Sequence, residues 1–195
     1  MNVADRIAAY LRQTLDTVSA TAENCTEEIA QAAATIAECV RGGGKVLICG
    51  NGGSAADSQH LAAELVSTLT LDRRRPAIPA VALTTDTSIL TAVSNDFGFA
   101  GVFARQVEAL GTAGDVLIGI STSGNSEDVV LAMEQATRQG MRTVALTGES
   151  GGKLAPLADV AILVPSSETS HVQEAHLAVE QLIAFLVEDE LYPQR

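Results

Sequence analysis

Residues 115–130 read DVLIGISTSGNSEDVV and contain a complete strand-to-helix transition. An unbroken apolar run ends at Ile120, a run of small polar residues and glycine follows, and a segment with helical spacing begins at Glu127. A strand that is apolar at consecutive positions is buried on both faces, as in a parallel sheet. The stretch therefore predicts one strand–loop–helix unit of an α/β fold, with polar side chains at the carboxyl end of the strand.

The same alternation of short apolar runs and longer helical patterns continues on both sides of this stretch. It predicts a three-layer, doubly wound α/β sandwich in which helices cover both faces of a five-stranded parallel sheet. The predicted strands are 45–49, 79–84, 115–120, 143–147 and 160–164, and the predicted helices among them are 53–69, 86–94, 98–110, 126–139 and 168–191.

Residues 1–42 carry a different pattern, two helical stripes of apolar positions that end at the sequence RGGGK. We expect these helices to form an N-terminal extension used in oligomerisation, because their apolar stripes need a surface to cover them. The sequence shows no linker and no tandem repeat. The predicted organisation is a single domain over 1–195, with the helical extension at 1–42 and the α/β core at 43–195.

The composition of the chain argues against two classes of partner. Its formal net charge of −12 disfavours binding to nucleic acid, which needs a basic surface. Its apolar runs fall well short of the roughly 20 residues that cross a bilayer, and the first residues lack the apolar core of a signal peptide. We therefore expect a cytoplasmic protein without direct nucleic-acid or membrane partners.

The polar loop at 121–126 has the composition of a phosphate-binding site. Ser121, Thr122, Ser123 and Ser126 supply hydroxyl donors, and the helix that follows supplies free N–H groups and the positive end of its dipole. The alternative is a helix N-cap, since Ser and Asn are common caps. One cap needs one such residue, so we interpret the excess of hydroxyls as a cradle for a phosphorylated metabolite.

A glycine-rich loop follows the first predicted strand and opens another helix. The backbone at Asn51, Gly52 and Gly53 can approach a ligand closely because two of these residues lack a side chain. On the helix, His60 and Glu64 lie four residues apart and share one face. Such a pair can bind zinc, act as an acid–base pair, or form an ordinary surface ion pair. The glycine-rich loop beside it favours a functional role.

The adjacent residues Asn95 and Asp96 precede an aromatic-glycine turn. Their amide and carboxylate groups can hydrogen-bond the hydroxyls of a sugar. They can equally form an Asx turn, and the residues alone do not decide between the two interpretations.

The segments GNGGSAADSQH, SNDFGF, ISTSGNS and VQEAH together resemble the phosphoheptose isomerase family of SIS-domain proteins. The resemblance covers almost the whole chain. It implies the interconversion of sedoheptulose 7-phosphate and D-glycero-D-manno-heptose 7-phosphate, whose product feeds ADP-heptose and lipopolysaccharide synthesis. It also implies a cytoplasmic homotetramer with active sites at subunit interfaces and one zinc ion per subunit.

The resemblance further implies a role for each matching residue. Glu64 matches the catalytic base, which moves a proton between neighbouring carbons through an enediol while zinc or a nearby donor stabilises the oxyanion. Gln181 occupies the position of the partner acid/base. The implied metal ligands are His60, Glu64, Gln173 and Gln181, and the implied substrate contacts are Asn51, Gly52, Gly53, Glu64, Asn95, Asp96, Ser121, Thr122, Ser123, Ser126 and Gln173.

Gln181 departs from the family, whose isomerases carry histidine at this position. An amide cannot shuttle protons and is a poor zinc ligand. Glu180 is a hypothetical replacement for the missing acid. A second departure is Thr68, where the family commonly has arginine, and the basic run at 73–75 is a candidate to compensate for it.

The missing histidine leaves a second function open. A non-catalytic branch of SIS proteins resembles phosphoheptose isomerases, binds the bacterial replication initiator, and also lacks this histidine. That branch lacks the counterpart of Glu64 as well, which this chain retains. We therefore expect an aldose–ketose sugar-phosphate isomerase, with a non-catalytic phosphosugar-binding protein that associates with the initiator as the alternative.

Overall fold

Five apolar strands form a single parallel sheet in the computed structural model, which describes residues 1–70 and 74–193. The strands are β1 (Val46–Gly50), β2 (Ala80–Ala82), β3 (Val116–Ser121), β4 (Arg142–Gly148) and β5 (Val160–Val164), in the spatial order β2-β1-β3-β4-β5. β1 pairs with β2 on one side and with β3 on the other. In the pairing with β3, Gly50 lies opposite Ile120. The loops after β1 and β3 therefore lie side by side at the carboxyl ends of these strands, where the strand order reverses. Open α/β sheets bind ligands at this point.

Helices cover both faces of the sheet, which confirms the predicted three-layer sandwich. They are α1 (Val3–Asn24), α2 (Thr26–Arg41), α3 (Gly53–Val66), α4 (Thr87–Phe97), α5 (Val102–Leu110), α6 (Glu127–Arg138) and α7 (Thr169–Leu191). Successive residues of a strand point to opposite faces, so Ile48 packs with α2, α3 and α7, whereas Leu47 packs with α4, α5 and α6. Helices from both layers thus contribute residues to the carboxyl ends of the strands.

The element boundaries lie within four residues of the sequence-based expectations. α4 runs to Phe97 instead of 94, α5 begins at Val102 after a 3₁₀ turn instead of at 98, and α3 is shorter than expected. The expected helix runs to 69, whereas α3 ends at Val66. The carbonyl groups of Glu64 and Leu65 accept hydrogen bonds from the side chain of Arg75, and the N–H of Leu69 donates to Glu188. These long-range bonds replace the last intrahelical ones. β2 is also shorter than expected, as a strand at the sheet edge with one neighbour.

The two N-terminal helices differ in burial. Ala33 and Ile36 of α2 are buried in the core, so this helix is part of a sandwich layer. α1 packs on α7 through Tyr10 and His171 but leaves apolar side chains more than half exposed, at Val3, Ile7, Leu11 and Leu15. The boundary at residue 42 and the role of the extension in oligomerisation stay predictions. Within the described ranges, no helix has the length and apolar character of a membrane span.

Candidate active site

The loop after β1 meets the first turn of α6 through a pair of hydrogen bonds. The side-chain amide of Asn51 donates to both carboxylate oxygens of Asp128, at 2.9 and 2.8 Å. Asp128 is buried, and desolvation raises the pKa of its carboxyl group against the opposing effect of these hydrogen bonds. The contact fixes the orientation of the Asn51 amide at the sheet edge. Sequence reasoning missed Asp128, because acidic residues are common in the first turn of any helix.

His60, Glu64 and Gln181 form a polar cluster between α3 and α7. Nε2 of His60 and Oε1 of Glu64 are 3.7 Å apart, so the two side chains share one face of α3, as their spacing predicts. The amide nitrogen of Gln181 lies 2.5 Å from Nε2 of His60 and 3.5 Å from Oε1 of Glu64. With this amide as donor, Nε2 of His60 is an acceptor and its proton is on Nδ1. The side chains of His60 and Glu64 are 35% and 20% exposed, so a ligand can reach them.

Gln173 lies two turns before Gln181 on α7 and reaches the start of α3. A Cβ atom on Gly53 would lie 2.5–2.8 Å from the side-chain amide atoms of Gln173. A larger residue at position 53 would displace the end of the glutamine side chain. The arrangement places the Gln173 amide against the glycine-rich loop that carries Asn51.

The loop at 121–126 presents its hydroxyls at the same edge. The hydroxyl oxygens of Ser121 and Ser126 are 2.9 Å apart, and that of Ser123 accepts a hydrogen bond from the N–H of Asn125. Ser126 occupies the N-cap position of α6, yet its side chain makes no capping hydrogen bond. The simple N-cap alternative therefore does not describe Ser126.

The loop after β4 supports this hydroxyl-rich loop from behind. Gly124 has a φ of +64°, and a Cβ atom there would collide with the backbone of Gly151. The N–H of Leu154 donates to the Gly124 carbonyl at 3.0 Å, and the N–H of Lys153 donates to the side chain of Asn125 at 3.2 Å. These contacts hold the loop at 121–126 in a fixed conformation.

Two carboxyl groups lie near the cluster, those of the partly buried Asp57 on α3 and the buried Glu180 on α7. Glu180 is fully buried, and neither carboxylate oxygen has a hydrogen-bond partner among the described residues. Desolvation, together with the charge of Asp57, raises the pKa of Glu180 to about 9, and burial raises that of Asp57 to about 6. No hydrogen bond joins Glu180 to His60, Glu64 or Gln181 in the described part of the chain. The structure therefore gives no support to Glu180 as the replacement acid.

Replacing Glu180 by glutamine should stabilise the protein increasingly as the pH rises. The folded state keeps the Glu180 proton up to about pH 9, whereas the unfolded chain releases it near the ordinary value of 4.5. The wild-type protein therefore loses stability as the pH rises between these values. We expect the variant to gain on the order of 3 kcal/mol in unfolding free energy at about pH 8, and almost nothing at about pH 4. Urea unfolding at both pH values measures the difference, and a gain that does not change with pH would contradict this origin.

Asn95 and Asp96 lie apart from the cluster, on the exposed surface of α4. The side chain of Asn95 donates to that of Asp96 at 2.8 Å. Among the described residues, no hydrogen bond links either of them to the loops after β1 and β3.

Within the basic run at 73–75, the structure shows contacts that decide the role of Arg75 only. Arg73 lies outside the described residues, and Arg74 is exposed. Arg75 is buried in an ion pair with Glu188, with N–O separation 2.6 Å, so it is not available to a substrate. Arg75 therefore does not compensate for the arginine that the resemblance implies at position 68.

Comparison with known proteins agrees with this architecture. Residues 9–148 match the model of the SIS domain family. The phosphoheptose isomerase of Akkermansia muciniphila is 56% identical over 165 residues, which are 85% of this chain and 86% of the relative. The chain belongs to the phosphoheptose isomerase family.

Solved structures of the phosphoheptose isomerase family extend the likeness to the whole fold. The phosphoheptose isomerase of Neisseria gonorrhoeae is 42% identical, has a TM-score of 0.91, and covers 96% of this chain and 100% of its own. That of Francisella tularensis is 38% identical with a TM-score of 0.92, covering 97% and 100%. The N-terminal helices are therefore part of the family fold.

Proposed function

We propose that the protein is a phosphoheptose isomerase that interconverts sedoheptulose 7-phosphate and D-glycero-D-manno-heptose 7-phosphate. The observation that carries the proposal is the Glu64 carboxylate beside His60 and Gln181, at the sheet edge that also bears the hydroxyl-rich loop. Isomerisation of a phosphorylated sugar needs a base and a phosphate anchor at one site. The family relatives support the same assignment.

Glu64 is the base in this mechanism. It takes a proton from the carbon next to the carbonyl and returns it to the former carbonyl carbon, through an enediol. The amide of Gln181 can donate a hydrogen bond to the oxygen that becomes negative, but it cannot carry a proton. His60 is the other ionisable side chain in contact with Gln181, so we assign to it the proton that moves between the two sugar oxygens.

The remaining site residues bind the substrate without taking part in proton transfer. The backbone at 51–53 lies against the sugar, with Gln173 as a further polar contact. The N-terminus of α6 and the hydroxyls of Ser121, Thr122, Ser123 and Ser126 hold the phosphate. Asn95 and Asp96, exposed on α4, contact the sugar bound to a neighbouring subunit.

Zinc binding is a further proposal, and the donor set fits it weakly. His60 and Glu64 are strong zinc ligands, whereas the amide oxygens of Gln173 and Gln181 are weak ones. Among residues 1–70 and 74–193, no three His, Cys, Asp or Glu side chains are grouped to hold a metal. We therefore propose one weakly held zinc ion per subunit, which when bound supplies a positive charge to the reacting oxygens. A metal-bound Glu64 is not free to act as base, so the two roles belong to different states.

We also propose that the enzyme is a cytoplasmic homotetramer whose product feeds ADP-heptose and lipopolysaccharide synthesis, without nucleic-acid or membrane partners. The exposed apolar side chains of Ile7, Leu11 and Leu15 on α1 support assembly, because such surfaces commonly form interfaces. Light scattering of the purified protein measures the assembly. A monomer at micromolar concentration would contradict it.

Turnover of sedoheptulose 7-phosphate by the purified protein, with and without added zinc, tests the proposed function. Appearance of the aldose is the expected result. Thermal stabilisation by the sugar phosphate without turnover would instead favour the non-catalytic binding protein, because a ligand that binds the folded state raises its melting temperature. A protein that neither turns over the sugar phosphate nor is stabilised by it would contradict both functions.

Replacing Gly53 by alanine should lower activity without lowering stability. The new methyl group displaces the flexible end of Gln173, and alanine is well tolerated at the first residue of a helix. We expect kcat/KM to fall by about tenfold to a hundredfold, since small misplacements of a positioning group have effects of that size. The matched control is Gly101→Ala, whose Cβ would have no neighbour nearer than 3.9 Å. Equal losses in both variants would contradict a role for Gln173.

A further inference from the structure

The side chain of Arg75 links the two helices that carry the acid–base cluster. It is 1% exposed, and its Nε donates to Oε1 of Glu188 on α7 at 2.6 Å. Its Nη2 donates to the backbone carbonyl of Glu64 at 2.8 Å, and its Nη1 to that of Leu65 at 2.8 Å. The guanidinium group thus joins the backbone of the catalytic base to α7.

The end of α3 depends on these hydrogen bonds. The last carbonyl groups of a helix have no intrahelical partners and must be satisfied by other groups. α3 ends at Val66 without a C-terminal glycine, and the Arg75 side chain takes two of these carbonyls. The Leu65 carbonyl also accepts from the N–H of Ile78 at 3.1 Å, so Arg75 acts on this turn chiefly through the carbonyl of Glu64.

The partner Glu188 lies on the helix that carries the other half of the cluster. It follows Gln181 by seven residues, which is about two helical turns. Its Oε1 also accepts from the N–H of Leu69 at 3.1 Å. The ion pair therefore fixes α3 relative to α7 close to the site where Gln181 contacts His60 and Glu64.

We propose that Arg75 is a positioning residue for the isomerase site. By holding the Glu64 carbonyl and Glu188 together, it sets the distance between Glu64 and His60 on one helix and Gln181 on the other. The inference rests on the proposed isomerase function for its kinetic consequence. The geometric consequence, a fixed contact between His60 and Gln181, is independent of that function.

The test compares Arg75→Lys with a control variant, Asp115→Asn. A lysine keeps the charge, but its single ammonium group cannot span the same set of acceptors in one plane. Asp115 is also buried and forms an ion pair, with Lys45. It lies at the amino end of β3, whereas the candidate site lies at the carboxyl ends of the strands. Both changes should lower the melting temperature, so a loss of stability alone does not distinguish the two sites.

Two readouts distinguish positioning from stability. The first is kcat and KM, measured well below the melting temperature of each variant. The second is the pair of ring ¹⁵N chemical shifts of His60, which report whether Nε2 is an acceptor from Gln181. The chain has three histidines, so a His60→Ala spectrum assigns the signals.

We expect Arg75→Lys to lower kcat by about tenfold to a hundredfold with little change in KM, and to shift the His60 signals. Asp115→Asn should leave both readouts unchanged. Unchanged His60 shifts in Arg75→Lys, or an equal loss of kcat in both variants, would overturn the proposal. If the wild-type protein does not turn over the heptose phosphate, the proposed function fails, and the His60 shifts alone decide whether Arg75 positions the cluster.

Discussion

Replacing Glu64 by glutamine is expected to lower kcat for sedoheptulose 7-phosphate by about a thousandfold, within the range that a general base contributes. Glutamine has nearly the same shape and can keep the contact with Gln181, but it cannot accept the proton from carbon. KM should change little, because the phosphate is held by the loop at 121–126. Steady-state kinetics of the variant, followed by appearance of the aldose, gives both constants.

The control for this experiment is Glu134→Gln, a glutamate on α6 that pairs loosely with Arg138 at the surface. It should keep full activity. Retention of more than about a tenth of kcat in Glu64→Gln would contradict the role of Glu64 as the base, since removal of a general base is not tolerated to that extent. The assignment of the base would then move to His60.

Replacing Gln181 by histidine is expected to raise kcat by about a hundredfold, because it adds a second imidazole to a site in which His60 alone is proposed to carry a proton between the sugar oxygens. Position 181 already points at His60 and Glu64, so the new imidazole would enter the cluster without rearrangement of α7. The same change adds a strong third ligand and should increase zinc affinity. Kinetics and zinc titration with a competing chelator measure the two effects.

Gln59→His is the matched control for this gain. Gln59 precedes His60 on α3 but is exposed, and its amide donates to the carbonyl of Ala55. A histidine there should change neither kcat nor zinc affinity. If Gln181→His leaves kcat unchanged while Glu64→Gln abolishes it, His60 alone carries the proton fast enough, and a second imidazole adds nothing. If the native chain is inactive and Gln181→His is active, the native protein is a binding protein on an isomerase scaffold.

Local patterns in the sequence predicted the fold well. Strands such as Val116–Ser121 are unbroken apolar runs, and helices such as Glu127–Arg138 have a clear helical period and acidic first turns. The loops that matter follow strands directly, so their place at the carboxyl edge of the sheet followed from topology. The pairing of His60 with Glu64 needed only the geometry of one helix.

The contacts that complete the site could not be predicted, because they join residues far apart in the chain. The amide of Gln181 meets a histidine 121 positions earlier, and Asn51 meets Asp128 across 77 positions. Neither Asp128 nor Arg75 differs in type from an ordinary surface residue. Their roles depend on burial, which appears only when the helices are packed on the sheet.

The acid–base residues and the phosphate-binding loop belong to helices on opposite faces of the sheet. Glu64 and Gln181 belong to helices of one layer, whereas the loop at 121–126 leads into α6 of the other. Sequence change in the first layer can therefore alter the reacting end of the sugar while the phosphate anchor stays intact. The histidine-to-glutamine difference that the family resemblance implies at position 181 would be a change of this kind, because it alters the reacting end of the site and leaves the phosphate-binding loop unchanged.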